Sequence, residues 1–172
     1  MAYNFTFEKI ETIEDSVFDS LWADSKEDLK GGTFIFPEEA NTDELKKEHT
    51  KQAFLNTVNG KHWILVKNDG TACMWIAGFI NPEVESDMYN WHLALVGKIN
   101  NSKVWTRSSE WHSGLKTYLQ GISMKGYTLP IIKDQAIDTY FTAANSSGIC
   151  LGTHTRVESS EDDRQVFLKW VY

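Results

Sequence analysis

Apolar and polar residues alternate from Tyr3 to Ile10, with Tyr3, Phe5 and Phe7 on one side and Asn4 and Thr6 on the other. That is the two-residue period of a half-buried strand. The period then lengthens. Val17, Phe18, Leu21 and Trp22 recur at helical spacing after Thr12 and Asp15, which resemble an N-terminal cap, and Gly31-Gly32 ends a predicted helix over roughly 13–29. Asn41 ahead of Glu44 gives a second capping pattern, and Leu45, Phe54, Leu55 and Val58 supply the apolar face of a more polar helix that stops at Asn59-Gly60.

Two β-rich runs follow, Lys61 to Lys67 and Thr71 to Asn81, joined by Asn68-Asp69-Gly70. Asp-Gly supplies the positive φ angles that a tight hairpin turn demands, so these runs pair antiparallel. After the polar segment from Pro82 to Asp87, Met88 to Ile99 is apolar on both faces, with Trp91, Leu93 and Leu95 on one side and His92, Ala94 and Val96 on the other. A run of this kind predicts a central strand. Lys98 to Lys103 reads as a polar connection; Trp111, Leu115, Tyr118, Leu119 and Ile122 then fall at helical spacing, with Thr106, Ser108 and Ser109 placed to cap the start. Tyr127 to Ile132 is a short strand whose Pro130 needs an edge, an end or a splayed position. Asp134 opens another helix, with Ile137, Tyr140, Phe141 and Ala144 in one stripe, and Ile149 to Val157 and Gln165 to Tyr172 are two final strands. The predicted order is β-α-α-β-β-β-α-β-α-β-β: an α+β fold with a mixed, mostly antiparallel sheet and covering helices, in one domain over residues 1–172. Were the segment from Arg107 to Gly126 not helical, a β-rich barrel or sandwich would follow instead.

Composition narrows the chemistry. The 172 residues carry a formal net charge of -7 without a basic run, which argues against nucleic acid, because phosphate contacts need clustered Lys and Arg. The first ten residues lack a signal-peptide pattern and no apolar stretch is long enough to cross a bilayer, so the expectation is a soluble, cytoplasmic chain. Cys73 and Cys150 lie in apolar contexts, as small hydrophobes do, and the five histidines show no ligand spacing, so neither a disulfide nor a dedicated metal site is expected. Glu83, Glu85 and Asp87 could attract a cationic amine or form a plain solvated loop. His92 is the best-placed candidate base and Tyr140 a candidate acid for acyl transfer, although packing and a backbone hydrogen bond would explain either residue without chemistry.

The order of elements resembles the GNAT family of acyl-CoA-dependent N-acyltransferases over nearly the whole chain. Two local stretches carry the likeness: Tyr89 to Val96 ahead of a helix, and Ala143-Ala144-Asn145-Ser146-Ser147-Gly148-Ile149 at a helix end ahead of a strand. The resemblance implies that acetyl-CoA or another acyl-CoA lays its pantetheine arm along the backbone at Leu95, Val96 and Gly97. It further implies that the helix entrance at Arg107, Ser108 and Ser109 takes the pyrophosphate, and that a small-molecule or peptide amine receives the acyl group. The general physics of the second site is the free N–H groups and positive dipole end of a helix N-terminus. The chain departs from the family twice: nothing between Val96 and Gly114 reproduces the usual glycine-rich turn, and Ala144 stands where a tyrosine acid is usual. A non-catalytic binding protein on the same scaffold is the competing expectation.

Overall fold

The computed structural model describes residues 3–30, 36–56, 59–83, 85–99, 102–103, 109–132, 153–158 and 165–172. Strand β1 (Phe5–Ile10) leads into helix α1 (Asp15–Asp28) and helix α2 (Asp43–Leu55). Strands β2 (Lys61–Asn68), β3 (Thr71–Asn81) and β4 (Glu85–Val96) follow, then the short strands β5 (Lys98–Ile99) and β6 (Ser102–Lys103). Helix α3 (Ser109–Gly121) crosses to β7 (Gly126–Ile132), and β8 (Thr153–Glu158) and β9 (Gln165–Val171) complete the described elements. The order in the main sheet is β1-β2-β3-β4-β7-β9-β8, and among the described strands only the β4–β7 pair is parallel. This is the mixed, mostly antiparallel α+β sheet expected from the sequence, and α3 removes the barrel alternative.

Several local expectations change. Helix α1 starts at Glu14 without a side-chain cap, and α2 is capped by Thr42, whose hydroxyl accepts from the Leu45 amide at 3.2 Å, in place of the Thr12 and Asn41 caps. Leu45 and Leu55 are exposed, and α2 seats itself through Phe54 and Thr50. The segment Pro82 to Asp87 is a tight β3–β4 connection and not a loop: Asn81 pairs with Glu85, and Asp87 lies within β4, 3.3 Å from Lys125. Lys98 to Lys103 holds a small strand pair of its own. The hairpin at Asn68-Asp69-Gly70 forms as predicted, with φ of 50° at Asp69 and 81° at Gly70. The predicted helix from Asp134, with Tyr140 in its stripe, lies outside the described residues.

Each face of the sheet has its own core. Trp111, Leu115 and Leu119 of α3 close over Ile64, Val66, Met74, Ile76, Tyr89, Trp91 and Tyr127. On the other face Phe18, Leu21, Trp22 and Phe54 close over Trp63, Leu65, Trp75 and Leu95. Cys73 is one of the buried apolar residues, its thiol pushed up to about 12 by burial, so it behaves as the small hydrophobe its context implied. Helix α2 is aligned on α1 by an antiparallel ladder of exposed charge pairs: Lys51–Asp15 at 3.0 Å, Lys47–Asp19 at 2.6 Å and Asp43–Lys30 at 2.9 Å.

Candidate functional site

The parallel strands β4 and β7 stay together for only three residue pairs: Met88 with Gly126, Tyr89 with Tyr127, and Asn90 with Thr128. Beyond that point β4 continues to Val96 on the β3 side, while β7 continues to Ile132 on the β9 side. The strands therefore part toward their carboxyl ends. Their connection runs through α3, whose N-terminus lies at the same end because a crossover helix runs antiparallel to the strands it joins. In open sheets with parallel strands, the crevice beyond the strands' carboxyl ends is the usual ligand site.

Three features fix where the strands divide. Asn90, in the last parallel pair, donates from Nδ2 to the Phe79 carbonyl at 3.2 Å and accepts at Oδ1 from the Thr128 hydroxyl at 3.0 Å, so one side chain spans β3, β4 and β7. A β-bulge follows immediately: Ala77 opposes Leu93 and Gly78 opposes Trp91, which leaves His92 as the extra residue. On the α3 face, Trp91 packs 5.8 Å from Trp111 and 6.0 Å from Tyr127, filling the base of the cleft with aromatic rings.

The bulge changes which residues face which way. Tyr89 and Trp91 face α3, but after the extra residue it is Ala94 and Val96 that do so, while Leu93 and Leu95 face α1. The expectation that Trp91, Leu93 and Leu95 share a side is corrected accordingly. Main-chain groups follow the same logic. The Gly97 amide donates to the Cys73 carbonyl at 2.8 Å. Because bonding in an antiparallel ladder alternates, Leu95 and Leu93 also turn their N–H and C=O groups to β3, and Ala94 and Val96 turn theirs to the edge where β7 has departed. Of the predicted cofactor contacts, Leu95 and Gly97 thus spend their backbone groups inside the sheet and Val96 does not. Ala94 joins Val96 on the open edge. Nothing in the sequence marked Ala94, since its role depends on the phase shift at His92.

His92 lies on the bulge, exposed, with its ring 6.3 Å from and edge-on to Phe79, on the face covered by α1 and α2. Local loss of solvent lowers its pKa below the ordinary 6.5, so the imidazole is neutral and able to accept a proton at neutral pH. Ser109 is the first residue of α3; Arg107, Ser108 and Tyr140 lie outside the described residues. Glu83 occupies the turn, where its amide donates to Asn81 Oδ1 at 3.0 Å. Among the described residues no group of His, Cys, Asp and Glu could hold a metal ion. No described helix is long and apolar enough to cross a membrane.

A second concavity lies away from this cleft. A groove of about 600 Å³ runs between β1 and α3, lined by Phe5, Phe7, Gly114 and Tyr118 among others. Beneath it, His62 Nε2 is 2.7 Å from the Tyr118 hydroxyl, and the Tyr89 hydroxyl donates to the His62 carbonyl at 2.7 Å. The β4–β7 cleft is the candidate site: among the described strands none pairs with β4 beyond Asn90 on the β7 side, and α3 begins at this end of the sheet.

No protein-family model matches the sequence, and no curated protein matches it. Solved structures do match. The GNAT domain of S. lividans PAT superposes with a TM-score of 0.57 at 12% identity, over 96% of this chain and 89% of that one. The PaiA N-acetyltransferase from Thermoplasma acidophilum, in complex with coenzyme A, gives 0.58 at 12% identity over 98% and 99%. The ribosomal-protein-alanine N-acetyltransferase from Brucella melitensis gives 0.53 at 12% identity over 97% and 99%. At such identities the likeness is one of fold, and the chain has a divergent GNAT-like fold.

Proposed function

We propose that this protein is an N-acyltransferase that takes an acyl group from acyl-CoA, acetyl-CoA being the first candidate, and delivers it to an amine. The observation that carries the reading is the edge of β4 at Ala94 and Val96, which no described strand pairs once β7 has departed, at the end of the sheet where α3 begins. An amide-bearing arm can extend that edge as a strand would, with Ala94 N–H and C=O and the Val96 N–H as its partners. A pyrophosphate at the other end of such an arm suits the positive dipole end of α3, with Ser109 and, by the family resemblance, Arg107 and Ser108 at the entrance. When bound, the thioester supplies the activated acyl carbon.

His92 is our candidate base: neutral at pH 7, it can take the proton from an attacking amine. N–H groups on the open edge can stabilise the developing oxyanion. Tyr140, four residues before Ala144, the position at which the family resemblance expects the tyrosine, is retained as the candidate acid for the leaving thiolate. The acceptor class, a protein or small-molecule amine, is drawn from the fold's relatives, one of which is named for acting on a ribosomal-protein alanine. Acetyl transfer from acetyl-CoA to a panel of amines tests the reading. We expect kcat/KM to fall with pH below the ordinary histidine range in the wild type, and His92→Asn to lose about 10²-fold or more in kcat while keeping CoA affinity. Full activity in His92→Asn would remove it as the base.

A further inference from the structure

The carboxyl end of β4 is held from helix α1. Ser25 is 3% exposed, and its hydroxyl lies 3.1 Å from the Val96 carbonyl and 2.7 Å from the Leu21 carbonyl of its own helix. The Val96 carbonyl belongs to the same peptide unit as the Gly97 amide, which donates to Cys73 at 2.8 Å. The single Ser25 proton is shared between the two carbonyls, so this one peptide plane is held at its oxygen by the longer branch from α1 and at its nitrogen by β3. One residue on, the Lys98 amide donates to Asp24 Oδ2 at 3.3 Å. Between the two tethers sits Gly97, where a Cβ would collide with the Cys73 carbonyl and crowd Leu21. Glycine is the residue whose backbone swings most freely. It stands where the strand meets the mouth of the cleft, and the two α1 side chains remove that freedom.

We propose that Asp24 and Ser25 are positioning residues for the acyl-CoA arm, fixing the main-chain groups of Ala94 and Val96 at the spacing that the arm must match. This rests on reading the β4–β7 cleft as the acyl-CoA site. With its carbonyl already engaged by Ser25, Val96 offers its N–H, and the register of the arm is set by Ala94. Asp24 and Ser25 bond the main-chain groups of Lys98 and Val96, so the pair acts through the backbone and not on the reaction itself.

The test is the dissociation constant of coenzyme A, by calorimetry on the full chain, for wild type, Ser25→Ala, Asp24→Ala and Asp24→Asn. Thr50→Val is the control: Thr50 is equally buried and its hydroxyl makes the same kind of bond, to the Lys46 carbonyl at 2.8 Å, in α2 and away from β4. Ser25→Ala should raise Kd about tenfold. Thr50→Val should lower Tm by about 2–4 °C, as Ser25→Ala does, and leave Kd unchanged. Asp24→Ala, at a site open to water, should also raise Kd, and Asp24→Asn, which keeps an oxygen acceptor, should restore it. If wild type binds coenzyme A and Ser25→Ala binds it equally well, or if Thr50→Val weakens binding as much, the clamp is wrong and the cleft stands. If wild type binds no coenzyme A at all, the reading of the cleft fails and the clamp fails with it.

Discussion

Tyr89 lies across Gly78 of the neighbouring strand, and each position explains the other. A Cβ on Gly78 would collide with the tyrosine hydroxyl, which donates to the His62 carbonyl at 2.7 Å. Gly78→Ala should therefore cost about 1–3 kcal/mol, the usual penalty of overpacking a filled core, and chemical denaturation should show a lower midpoint at unchanged slope. A neutral result would mean that the ring moves freely. His62 itself makes stability depend on pH. Its pKa lies below the ordinary 6.5 because burial and the nearby Lys9 disfavour the imidazolium more than Glu11 favours it. As pH falls, the unfolded chain binds this proton first, so the stabilisation is complete above 6.5 and is lost toward the folded pKa. His92 adds to the effect in the same sense. Tm should fall between about pH 7.5 and about pH 5.5, and fall less in His62→Gln; a flat wild-type profile would contradict this. Residues of this kind were partly visible in the sequence. Ser25 falls on the helical stripe of Phe18, Leu21 and Trp22, and Asn90 stands between Tyr89 and Trp91, polar positions whose place calls for a hydrogen bond, but their partners are 71 and 38 residues away in the chain.

At the scale of elements, periodicity was a good guide wherever one face is dry. The alternation of Tyr3, Phe5 and Phe7, the Asp69-Gly70 turn and the stripe of Trp111, Leu115 and Leu119 each became the element they implied. It failed in β4 for a physical reason. A strand buried on both faces has no polar side to fix its phase, so the bulge at His92 left no trace in the sequence, although it decides that Ala94 and not Leu95 faces the open edge. Polar α2 misled in another way: with most of its surface in water, Leu45 and Leu55 gave a false apolar face. The parting of β4 from β7 depends on Asn90, which bonds to both neighbouring strands. Asn90→Ala should lose about 1–2 kcal/mol. It should also speed hydrogen exchange at the Tyr127 and Thr128 amides while leaving the β2–β3 amides protected. Unchanged protection in β7 would show that the aromatic stack alone holds the strands.

For the whole molecule, one sheet with a core on each face has a single parallel junction among its described strands, and that junction is where the sheet divides. The α3 crossover brings a helix N-terminus to the divided end, and α1 braces the other wall through Ser25 and Asp24. The family's glycine-rich turn is absent from the sequence between Val96 and Gly114, so the binding claim rests on main-chain geometry. Thermal unfolding of the full chain with and without coenzyme A and acetyl-CoA tests that claim most directly. At about 100 times its Kd, a ligand that binds only the native state adds about 2.7 kcal/mol, a Tm rise of about 5–10 °C for a chain of this size. We predict such a rise, diminished in Ser25→Ala. No shift with coenzyme A, acetyl-CoA or longer acyl-CoAs would contradict the assignment of the β4–β7 cleft.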